Sequence, residues 1–147
     1  MGRIVLGVIV GYLAMAVLVF ATFSLAYLLM GADGAFRPGT YEVSPLWLAV
    51  SIGLGLAAAI VGGWVCVYVA RSHKAAIVLA ALVLVLGLAM AIPVLTQSGH
   101  IQLPPRSGPV SNMDAMERAQ QPAWIALLNP LLGAFGVMTG SKRQQSR

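Results

Sequence analysis

From Ile4 to Ala32 the chain contains no aspartate, glutamate, lysine, arginine or histidine. Such a run exceeds the ~18 apolar residues that mark a bilayer span, and the ~7–15 of a cleaved signal peptide. Three more runs follow, between Glu42 and Arg71, from Ala75 to about Gln97, and from Pro122 to Gly140. A soluble domain carries about 25% charged residues because its surface must be wetted. Here 9% are charged and 59% hydrophobic, and 9 Lys/Arg with 4 Asp/Glu cannot cover a globule. The expected fold is therefore all-α, a polytopic membrane protein built as a bundle of four transmembrane helices. It forms a single membrane domain over 1–147, with spans at about 4–30, 45–70, 75–96 and 122–140. Longer outer loops cover 31–44 and 97–121, a short cytoplasmic turn 71–74, and a tail 141–147.

Local signals support these bounds. Ser44-Pro45 reads as an N-cap followed by proline in the first helical position, where no N–H is missed. Asn129-Pro130 interrupts the fourth run, so a kink or break is expected there. Four spans gather both termini and the short turn on one side, which holds Arg3, Arg71, Lys74, Lys142, Arg143 and Arg147 and no acid. The other side holds Arg37, Arg106 and Arg118 with all four acids, Asp33, Glu42, Asp114 and Glu117. Basic residues concentrate in cytoplasmic segments, so both termini are expected in the cytoplasm. Tyr27, Trp47 and Trp124 would then sit at outer span ends, and Trp64 with Tyr68 at an inner one, as interfacial belts.

Helices in lipid approach closely through small residues. Ser51, Gly55, Ala59 and Gly63 recur every fourth residue in the second span, Gly7 and Gly11 in the first, Gly136 and Gly140 in the fourth. Internal packing of the bundle is preferred here over a homodimer seam. The second span should be the most buried, and Gly55→Leu should harm folding more than a similar change in the lipid-facing middle of the third, Val83 to Leu86. Pro45-Leu46-Trp47 and Pro122-Ala123-Trp124 open the second and fourth spans alike. Either two hairpins arose by duplication, or helix starts and interfaces each favour these residues independently.

The chemistry is marked by what is missing. No ionisable group lies inside a span, so proton-coupled transport lacks its usual carrier. Small multidrug transporters would place a glutamate in the first helix, and thiol oxidases would carry cysteine pairs, whereas Cys66 is alone. A membrane cytochrome needs histidines within spans, but His73 and His100 fall in loops. The short basic turn after Gly62-Gly63 and the outer Pro-x-Trp features give a chain that resembles small bacterial four-span integral membrane proteins. The resemblance lies in architecture and carries over no activity or site.

Among the polar segments, Ser111-Asn112-Met113-Asp114 reads as a capped helix start, with a short helix to about Gln120 pairing Asp114 and Arg118 four residues apart. Pro104-Pro105 and Gly108-Pro109 exclude regular structure before it. Met113, Met116 and His100 are soft-metal donors in type, but methionines at this spacing are read as packing residues. No catalytic, cofactor or metal site is assigned. Asn129 and Pro130 form the candidate intramembrane polar site, facing the small-residue stripe of the second span, with a helix-to-helix hydrogen bond as the plainer role. The net charge of +5 is read as topology rather than nucleic-acid binding. The expected partners are the lipid bilayer and a second copy or another membrane protein, at a bacterial cytoplasmic membrane. A non-enzymatic accessory, scaffold or assembly protein is the leading expectation, and a small oligomeric transporter or channel for a neutral or lipidic substrate the alternative.

Overall fold

The computed structural model describes residues 1–97, 105 and 110–142. It is all-α: α1 (Gly2–Ala35), α2 (Pro45–Ala70), α3 (His73–Gln97), the short α4 (Asn112–Arg118) and α5 (Ala123–Lys142). The four long helices are each long and apolar enough to cross a membrane. Ser44 caps α2 as expected, its Oγ accepting from the Trp47 N–H at 3.0 Å. His73, expected in the turn, instead opens α3, and its Nδ1 is buried without a hydrogen-bond partner among the described residues. His100, Pro104, Arg106, Gly108, Arg143 and Arg147 lie outside the described residues, as do the irregular segment and the end of the tail.

α1 does not stop at residue 30. It continues to Ala35 through one non-helical residue, Gly31, at φ 68° and ψ 175°. That combination is open essentially to glycine alone. Gly31→Ala should therefore cost about 1–3 kcal/mol through backbone strain, although no atom stands within 4 Å of the added Cβ. A denaturation series in detergent checks this, and an unchanged midpoint would refute it.

Of the kink or break expected at Pro130, the break does not occur. α5 is one continuous helix with Pro130 buried inside it. The ring sits against Gly87 of α3, where an added Cβ would come within 2.6 Å of the proline Cγ. The proline fits a notch, and the helix absorbs one missing N–H, as apolar spanning helices commonly do.

α2 packs on α1 along one side and on α5 along another. It has the largest buried share of the four long helices. α3 follows α2 through only Arg71-Ser72, yet packs mainly on α5. Arg71 makes that reversal in the left-handed region, φ 51° and ψ 37°, with its N–H donating to Val67 O at 2.7 Å. Glycine is the residue normally found in this helix-ending conformation. Arg71→Gly should then raise stability by up to about 1 kcal/mol by removing the Cβ penalty. A lower melting temperature would show that the arginine side chain contributes more than its backbone costs.

Two buried clusters stack along the bundle. One joins all four long helices near the α2–α3 turn through Val8, Ala59, Cys66, Val67, Ala76, Leu79, Ala134 and Val137. The other, at the opposite end, comprises Tyr27, Ala35, Phe36, Tyr41, Val43 and Ala115. We call the first end the turn end and the second the cap end. Within α3, Val85 and Leu86 are exposed as expected, but Val83 and Leu84 turn inward and pack on the first cluster.

Candidate ligand pocket at the cap end

The two segments expected as the longer outer loops are tied to each other where they are described, at Tyr41, Val43 and Gln120. Residues 36–43 fold back as a hairpin, with Phe36 bridging Val43 and the Arg37 N–H donating to Glu42 O at 2.8 Å. Gly39, at φ 70°, takes the reversal. Gln120 then joins as a third extended piece, accepting from the Val43 N–H at 3.1 Å and donating its own N–H to Tyr41 O at 2.9 Å. Loops in these positions would normally run free over the surface. Here their backbone groups satisfy one another, and the result is a folded cap.

Aromatic side chains fill the space beneath it. Phe23, Trp47, Tyr27, Phe36 and Tyr41 form a chain of edge-to-face contacts, with ring centroids 5.8–6.4 Å apart. This is the arrangement the ring quadrupole favours. Tyr27 and Trp47 were expected as an interfacial belt. Tyr27 is instead buried and Trp47 half-buried inside the cap, because both face the hairpin. Trp124 and the stacked pair Trp64 and Tyr68 are exposed. The two Pro-x-Trp starts therefore put their tryptophans in different surroundings.

α4 lies across the aromatic cluster. Its Ser111 cap forms as expected, accepting from the Asp114 N–H at 3.2 Å and donating to Asp114 Oδ2 at 2.6 Å. The expected Asp114–Arg118 pair does not form. The Arg118 guanidinium lies over the Tyr41 ring, 5.8 Å from its centroid. Two bonds latch this segment to α1: Asn112 Nδ2 donates to Ser24 Oγ at 2.9 Å, and the Tyr27 hydroxyl to Val110 O at 2.7 Å. Between latch and cluster lies a cavity of about 150 Å³, walled by Phe23, Tyr27, Phe36, Trp47, Ala115 and Met116, with the Asn112 and Gln121 amides among its lining. Met113, paired with Met116 in sequence, points to the exterior, 67% exposed.

The pocket was not anticipated. Its trace was the Phe23/Tyr27 pair, four apart on one helix face, followed by three further aromatics, Phe36, Tyr41 and Trp47, around the first loop.

The anticipated residues lie elsewhere. At the turn end, Gly7 and Gly11 receive Ala70 and Cys66 of α2; a Cβ on either would come within 2.6 Å of those side chains. Gly63 and Gly140 bring α2 and α5 together so closely that an added Cβ would overlap the Val137 or Ile60 carbonyl oxygen. Gly136 faces Ala59 and Leu56. Gly55 departs from expectation, with no atom within 4 Å of an added Cβ, and Ser51 is only half-buried, its hydroxyl donating to Leu48 O on its own helix. Asn129 does not reach the stripe. It is exposed and makes no hydrogen bond among the described residues, while Pro130 faces α3. Asn129 lies seven residues before Gly136, on the same side of α5. It is nevertheless exposed, and Gly53 and Gly55 of α2 likewise have no atom within 4 Å of an added Cβ.

The fold and site define an all-α bundle of four potentially membrane-crossing helices under an aromatic cap. No protein-family model, curated protein or solved structure shows significant similarity to this chain.

Proposed function

We propose that the chain is a multi-pass integral membrane protein of a bacterial cytoplasmic membrane, with both termini in the cytoplasm and the cap outside. Its work, on this reading, is non-enzymatic: an accessory or assembly protein that offers its cap and outer helix faces to a membrane partner. The observation carrying the proposal is the cap itself. The first connection is tied through Tyr41 and Val43 to Gln120, and Val110 before α4 is tied to α1, giving a fixed recognition surface. The charge pattern supports the orientation. Among the described residues Arg3, Arg71, Lys74 and Lys142 fall at the turn end, and every acid falls at the cap end. Aspartate, glutamate, lysine, arginine and histidine are absent from 4–32, 45–70, 75–96 and 122–140, and those in the long helices, Arg3, Asp33, His73, Lys74 and Lys142, stand within the first or last few residues. The hydroxyls of Thr22 and Ser51 donate to carbonyls of their own helices rather than lining a polar path.

A membrane-impermeant maleimide tests the orientation. Thr40→Cys should label in intact cells and Lys74→Cys only after permeabilisation, and the reverse pattern overturns it. A photo-crosslinker at Thr40 tests the role. A discrete adduct of defined mass, absent when the crosslinker is moved to Met90 on α3, is expected, whereas a lone monomer from both positions and in native mass analysis overturns it.

The cavity beneath α4 specifically favours the second reading, a small transporter or carrier for a neutral or lipidic substrate. No charged side chain among the described residues lines it, and an apolar guest at the outer surface is the kind it would admit.

A further inference from the structure

We propose that the cavity beneath α4 is a binding site for an uncharged amphiphile with a ring-shaped head, taken from the outer leaflet. The inference rests on the membrane placement and orientation proposed above, but not on the accessory role. Size is the first argument. A cavity of about 150 Å³ holds a guest the size of benzene. Depth is the second. The cavity lies at the cap end, among the residues that close the bundle, and so at headgroup level. The free ends of outer-leaflet acyl chains lie at the bilayer centre, far from it. A head group with a single ring belongs at this depth, its tail trailing into lipid.

The lining supports the same class. Phe23, Tyr27, Phe36 and Trp47 present faces and edges that favour offset or T-shaped contact with another ring. Asn112 and Gln121 add neutral amides, able to donate to a ring oxygen or accept from a ring hydroxyl. Of the charged residues of α4, Asp114 accepts from the Ser111 hydroxyl and Arg118 covers Tyr41, and neither they nor Glu117 belong to the lining. A charged head would enter a lining that offers no charged side chain among the described residues, which is strongly unfavourable. Met116, partly exposed at the lid, supplies a flexible wall for guests of different substitution.

The test uses the full chain in detergent with Trp64→Phe and Trp124→Phe, leaving Trp47 as the reporter in the wall. The probe is a para-benzoquinone with one short alkyl chain, which quenches indole fluorescence on contact. Saturable quenching is expected, reversed by para-hexylphenol but not by dodecanol. Ala119→Leu, which fills the cavity from the lid side, should abolish saturation, while Met113→Leu outside the cavity should not. Gln121→Ala should weaken binding about three- to tenfold, the loss of one hydrogen bond, and leaves the Asn112–Ser24 latch intact. It also serves as the second variant if Ala119→Leu disturbs the fold. Linear quenching identical in parent and variants, or equal displacement by dodecanol, overturns the proposal. The Thr40/Lys74 labelling is read separately, so a failure of membrane orientation is distinguishable from a failure of ring recognition.

Discussion

Gly140→Leu should be among the most damaging single substitutions in this protein, and Gly55→Leu among the most innocuous of glycine changes in the same bundle. At Gly140 an added Cβ would overlap the Ile60 carbonyl oxygen and stand 3.0 Å from the Trp64 nitrogen. These are backbone atoms of α2, so no rotamer change can make room. α5 must move off α2 as a body, and the contacts of Gly136 with Ala59 and of Gly63 with Val137 open with it. Overpacking a well-fitted core usually costs about 1–3 kcal/mol, and an obstruction that only helix separation relieves belongs at or above the upper end. Gly63→Leu obstructs the same seam from the other side. The double variant should cost less than the sum of the two, because the second substitution meets helices already apart. Unfolding in a denaturing detergent series measures all four. Equal midpoints for Gly55→Leu and Gly140→Leu would show that the seam is not what holds these helices.

The contrast between Gly55 and Gly63 also marks how far a small-residue pattern can be read. Residues four apart on a helix of 3.6 per turn advance by about 40° each step, so a stripe from Ser51 to Gly63 winds roughly a third of the way round α2. A straight neighbour cannot follow it along that length. Ala59 and Gly63 face α5, but the winding has turned Ser51 and Gly55 away from it. Gly62 was not marked as a packing position, since it breaks the four-residue spacing. Yet an added Cβ there would lie 3.0 Å from Gly11 O on α1, so α2 is gripped on two sides by adjacent glycines.

Helix count and approximate bounds were legible because an uncharged run has few other folds open to it. Ser44 and Ser111 were legible because a cap is a local event. The cap-end cluster was not, since it depends on residues 36–43 meeting Gln120 across more than seventy positions of chain. Hydropathy records that Tyr27 and Trp47 lie near span ends. It does not record which way they face, and the hairpin above them turns both inward. Asn129 failed for the converse reason. An amide in an apolar run implies a partner, but Asn129 is exposed and the stripe it was expected to face has wound off the α5 side of α2 by Gly55.

Tyr27→Ala should cost about 3–5 kcal/mol, the range for removing a large buried aromatic side chain. Tyr27 is only 6% exposed and meets both Phe36 and Trp47 edge to face, so truncation removes the ring that links the hairpin to α2. Its hydroxyl has a separable task, the 2.7 Å bond to Val110 O that holds the entry to α4. Tyr27→Phe keeps the ring and loses that bond, for about 0.5–1.5 kcal/mol. The two variants should therefore differ in where they loosen the protein. Tyr27→Phe should accelerate amide hydrogen exchange in α4 while leaving the Val43 and Gln120 pairing protected. Tyr27→Ala should release both. Neither should change protection at the turn end, because the cluster around Cys66 and Leu79 shares no residue with the cluster around Tyr27. Simultaneous loss of protection at both ends in Tyr27→Phe would mean that the cap and the bundle unfold as one unit. The α4 latch could then not open by itself, and a guest could reach the cavity only through its sides.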